Sequence, residues 1–200
     1  FISWLKSGRF MDLAPAHYDF GESSNYSFVN GITCSNEQTR SMFVEAFGHM
    51  LNYNHEQAIG CFTKCTEMDP DCAMAWWGIA YCVSSNYNWA PGLGSGHDAI
   101  QQAISVMDHC TELEQDLIVA LSKRHSAEAR DAADPTVLNM GHSPELNVEF
   151  AEAMAPLYKK YDGNLDVTAI YVESLMNLKS WQLWDKNTAT GEITPADDNT

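Results

Sequence analysis

Six cysteines, seven histidines and 27 acidic side chains are the chemistry-bearing residues of this 200-residue chain. Few of them stand at spacings that bring ligand atoms together. Glu45 and His49 are four apart, so on a helix they project from one face, one turn apart, and could share a cation. The other ligand, a distant carboxylate, would have to come from elsewhere in the fold. Cys61 and Cys65 have the same spacing and could hold a soft metal as thiolates. No second cysteine pair at zinc-ribbon spacing follows, and no His-Glu-x-x-His occurs, so spacing alone assigns no metal.

GLGSG at 92–96 precedes a helical stretch, where its amides could hold an anion. It follows no expected strand and lacks the lysine of a phosphate-binding loop, so neither a phosphate nor a dinucleotide is inferred. Gly-x-Ser-x-Gly is absent. Asp69 and Asp71 flank Pro70 and read as caps of a helix end and a helix start. No catalytic residue and no cofactor is assigned, and the chain reads more as a binding protein than as an enzyme.

The net charge of −16 and the pI of about 4.5 exclude the usual means of binding nucleic acid, which is clustered Lys and Arg against phosphate. Basic residues never run longer than Lys123-Arg124 or Lys159-Lys160. No apolar run approaches the ~20 residues that span a bilayer. A hydrophobic fraction of 45 % is ordinary for a domain with a core. The cysteine spacing is not that of a small stapled fold. The compartment is not fixed: a chain starting at Phe1 suggests processing, and the sequon Asn25-Tyr26-Ser27 matters only on export. The polar stretch after residue 185 lacks a closing helix, so the chain reads as part of a longer one.

Residues 1–35 lack helical periodicity and are expected to be an irregular extension, with strand character near Tyr26–Val29. A helical domain over 36–180 follows, then a polar tail over 181–200. Ser35 and Gln38 form a capping-box pattern that opens a helix reaching Leu51, with Phe43, Ala46, Phe47 and Met50 in its stripe. His55–Met68 is its partner helix. Cys72–Ser84 is apolar almost all round and must be covered on both sides. Further helices are expected over 97–108, 112–126, 144–161 and 165–178, with Pro156 kinking or breaking the third of these. Irregular insertions fall at 85–96 and 127–142. Trp181, Leu183 and Trp184 are expected to pack back on the helices.

Pro70, with Ala46, Ala58 and Phe62 before it and Trp76 and Ala80 after it, reproduces the spacing of a tetratricopeptide repeat, whose period is about 34 residues. The runs NHEQAIGCFTKCTEMDPDCAMAWWGIAYC, TELEQDLIVALSKRHS and DVTAIYVESLMNLKSWQLWD resemble a mostly bacterial tetratricopeptide family with NHEEA, DPDCAMAWWGIA and W-x-L-W motifs. That resemblance covers residues 26–185 in order. It implies an all-α solenoid of about three helix hairpins, each covering an apolar face of the next. It also implies further histidine-containing repeats beyond Thr200.

In such repeats the first helix of each pair lines a concave groove. Carried onto this chain, the groove positions are Arg40, Phe43, Phe47, Met50 and Leu51, then Met74, Trp77, Tyr81, Ser84 and Ser85. An aromatic and methionine-rich wall of this kind suits an extended peptide or a partner helix. The other reading is that the chain's own segments cover the wall. Trp76 is expected to be core. The function implied is a protein-interaction or scaffold module binding a peptide or partner subunit. The alternatives are a metal-dependent protein whose site is completed by later repeats, and a subunit locked permanently into an assembly.

Overall fold

The computed structural model describes residues 31–88, 96–127 and 144–196. The strand expected near Tyr26–Val29, most of the N-terminal extension, and most of both insertions lie outside the described residues. Seven α-helices are present among them: α1 Glu37–Leu51, α2 His55–Met68, α3 Ala73–Val83, α4 His97–Val106, α5 Glu112–Ser122, α6 Pro144–Lys160 and α7 Leu165–Met176. The chain is all-helical in its core, and each helix packs on its neighbour in sequence from α1 to α7.

Local chemistry explains the boundaries. Asn36, rather than Ser35, caps α1, its side chain accepting from the Thr39 amide at 2.8 Å. That corrects the expected capping box by one residue. Thr111 and Glu114 form the true capping box, at the start of α5, where each side chain meets the other's backbone amide. Asn164 caps α7 by accepting from the Asp166 and Val167 amides. Pro156 sits inside α6 without ending it, so the expected break does not occur.

α3 is the centre of the fold. It contacts α1 and α2 on one side and α4 and α5 on the other, which is why it carries no polar face. Close approach here depends on small residues: Ala46, Ala58 and Ala80 are wholly buried. At Gly78 a Cβ would stand 2.5 Å from the Phe62 ring. Gly96 has the same role between α4 and α3, since a Cβ there would lie 2.8 Å from the Ala80 carbonyl oxygen.

The last elements differ from expectation. A two-stranded antiparallel ribbon, β1 Trp184–Lys186 with β2 Ile193–Pro195, pairs Asp185 with Thr194. Trp181 and Trp184 do not pack into the core; they are 73 % and 61 % exposed. Trp181 instead lays its ring against Tyr87, with centroids 5.3 Å apart.

Candidate functional site

The residues expected to line a groove are inside the molecule. Phe43, Phe47, Met50, Met74, Trp77, Tyr81 and Ser84 are all buried, while Arg40, Leu51 and Ser85 are half-buried. The covering comes from the chain itself. Trp77 donates its indole N–H to the Leu117 carbonyl at 3.2 Å, and Tyr81 meets the Phe150 ring edge-on. The Tyr81 hydroxyl donates to Glu173 Oε2 at 2.6 Å. Later helices thus close over the wall that the repeat register leaves open. Trp76, expected in the core, is only partly buried and donates to the Pro70 carbonyl at 2.9 Å. The two adjacent tryptophans exchange their expected places.

Behind that wall lies a buried polar layer. Arg124 donates to the Asn147 carboxamide oxygen at 2.8 Å and to the Ser85 carbonyl, and lies over the Phe150 ring. Burial pushes the Glu173 carboxyl and the Tyr81 hydroxyl up, which favours their neutral forms. Ser84 Oγ lies 3.2 Å from His125 Nε2 but already donates to the Ala80 carbonyl at 2.8 Å. His125 is pushed down to about 3 by burial and by the Arg124 charge. Ser84 is buried with its hydroxyl proton committed to the Ala80 carbonyl, and His125 is half-buried, so this Ser–His contact holds helices together and is not a nucleophile pair.

A polar pocket of about 380 Å³ opens at the start of α2, lined by Tyr53, Asn54, His55, Glu56, Gln57, Asn86 and Asn88. Its buried members are His55 and Asn86, and His55 Nδ1 lies 3.2 Å from both the Cys82 carbonyl oxygen and the Asn86 side-chain nitrogen. His55 Nε2 is buried and makes no hydrogen bond among the described residues. Burial lowers the ring to about 4, so it is neutral near pH 7. Sequence placed His55 at a helix start and Asn86 in a loop, with nothing to join them.

The third constellation sits in the seam between α1 and α2. Glu45, His49 and Cys61 are all buried, and one ligand atom from each lies within 4.8 Å of the others. The i,i+4 pair read from sequence is therefore present, but the further donor is the Cys61 thiol in place of a distant carboxylate. Cys65, the other half of the cysteine pair, points its sulfur at the Thr39 carbonyl instead, 3.7 Å away.

The hairpin register explains the meeting. α1 and α2 are joined by Asn52, Tyr53 and Asn54, with Tyr53 at φ 60° and the Asn54 amide donating to the His49 carbonyl. In an antiparallel hairpin, positions equidistant from the turn lie level; Glu45 and Cys61 are each eight residues from Tyr53. That symmetry was the available signal, and it needs the turn residue to be known first. Burial and the nearby Glu45 carboxylate push the Cys61 thiol up to about 11.

No known protein family, curated protein or solved structure matches the chain. No helix among the described residues is long and apolar enough to cross a membrane.

Proposed function

We propose that this chain is a tetratricopeptide-like helical-repeat module that holds a protein partner, and that the partner docks on its C-terminal end, away from the inner wall. The single observation that supports this reading is where large apolar side chains meet solvent. Of the ten exposed large hydrophobic residues among the described residues, eight lie between Val148 and Ile193, so they are concentrated on the last hairpin and the ribbon. Leu165 and Trp181 are each 73 % exposed, and Val172, Leu178, Trp184 and Ile193 are exposed as well. Large apolar side chains left in solvent within one stretch of the chain support an interaction surface there. The net charge of −16 favours a partner with a basic rim.

The test is affinity purification with the full chain and with Leu165→Glu combined with Val172→Glu. Both sites are exposed, so melting of the double variant should stay close to wild type. A partner recovered at fixed stoichiometry with the wild type and lost with the double variant supports the reading. Undiminished recovery with the double variant, or no partner at all, counts against it.

A further inference from the structure

We propose that the seam between α1 and α2 is a binding site for a zinc-class divalent cation, held by Glu45, His49 and Cys61. Three different donor atoms, a carboxylate oxygen, an imidazole nitrogen and a thiol sulfur, come within 4.8 Å of one another from two helices. At metal–ligand lengths of roughly 2.0–2.3 Å, tetrahedral donors stand about 3.3–3.8 Å apart. Inward side-chain rotations of about 1 Å therefore complete the set, with no change in the helices.

Charge explains why such a site can be buried. A carboxylate and a thiolate together carry two negative charges, and a neutral imidazole adds none. A divalent cation brings the cluster to zero, which removes the main penalty for placing ions in an apolar seam. The ligands' neighbours in the same helices, Ala46, Ala58, Ile59 and Phe62, are apolar and fully buried. The thiol gives up its proton to solvent as the sulfur–metal bond forms.

Donor chemistry selects the ion. Magnesium and calcium require oxygen donors and six or more ligands. A sulfur, nitrogen and oxygen set suits zinc and its cobalt surrogate. The fourth tetrahedral position is left for a water or another donor. The site lies within the first hairpin and needs no residue of the C-terminal end, so it stands or falls separately from partner binding.

The experiment is metal analysis of the full chain as purified, followed by Co²⁺ titration of the metal-stripped protein. The expected result is one equivalent of metal, and on Co²⁺ addition a thiolate-to-cobalt charge-transfer band with the visible spectrum of tetrahedral cobalt. Cys61→Ser should abolish the charge-transfer band, whereas Cys65→Ser should retain it. Glu45→Gln, which preserves size, should weaken Zn²⁺ binding by at least about a hundredfold, beyond the ~10–100-fold effect of losing a supporting residue. It also decides the matter if Cys61→Ser does not fold. A folded wild type that takes up no Co²⁺ overturns the proposal. So does a band that survives Cys61→Ser or disappears with Cys65→Ser, or Zn²⁺ affinity unchanged in Glu45→Gln.

Discussion

The first hairpin and the last are built from the same kind of helix and treat their side chains in opposite ways. In α1 and α2, Phe43, Phe47, Glu45, His49 and Cys61 are turned inward and buried. In α7 and the ribbon beyond it Leu165, Val172, Trp181, Trp184 and Ile193 face solvent. The difference follows the packing of the described helices. α3 is covered from both sides and closes the first hairpin into the core, whereas among the described helices α7 packs chiefly on α6. The first hairpin therefore spends its apolar surface on stability, and the last described one leaves part of its apolar surface in solvent.

The strongest way to break this contrast is to exchange a residue at each end. Trp77→Ala removes a wholly buried indole and should cost ~3–5 kcal/mol, a large part of the stability of an ordinary domain. Trp184→Ala, on an exposed ring, should change stability by no more than about 0.5 kcal/mol. Urea midpoints for the two variants measure both, and equal effects would remove the distinction between the ends.

Acid should attack the inner region next. His55 and His125 have folded-state values of about 4 and about 3, below the ordinary value of 6.5. As pH falls below 6.5 the unfolded chain takes up protons that the folded chain refuses, so stability declines through that window. Each histidine contributes roughly 1.4 kcal/mol per pH unit there, and nothing above pH ~7, where both states are neutral. Thermal melts between pH 7.5 and 4.5 should show the decline, and His125→Gln should flatten it. A slope unchanged in that variant would contradict burial as its cause.

A smaller effect sharpens the same comparison at the glycines. Gly78→Ala drives a Cβ to 2.5 Å from Phe62 and should cost about 1–3 kcal/mol. Gly163→Ala, before α7, meets open space and suffers only from its φ of +79°, a cost of about 1 kcal/mol. Chemical denaturation ranks them, and a larger effect at Gly163 would reverse the order.

These magnitudes follow features that were partly legible in the sequence. The helices could be read because caps, prolines and periodic stripes fix them locally, and the all-round apolar run of α3 announced a helix covered on both sides. What could not be read was the identity of the cover. A repeat register assigns Trp77 and Tyr81 to an open wall, but Leu117, Phe150 and Glu173 arrive from helices tens of residues away and occupy it. Glu45 and His49 were visible because i,i+4 spacing is local. Cys61 was not, because its approach depends on the reflection of one helix onto another about Tyr53. The exposed Trp181 and Trp184 escaped for the same kind of reason: a short ribbon takes the chain where a helix was expected to receive it.

The most direct measurement is hydrogen–deuterium exchange on the full chain with and without its bound partner. The account predicts that binding protects 165–195, while α1 and α3, already closed by the chain's own helices, exchange slowly and without change. Protection appearing across 40–51 and 74–85, with none at the C-terminal end, would contradict it.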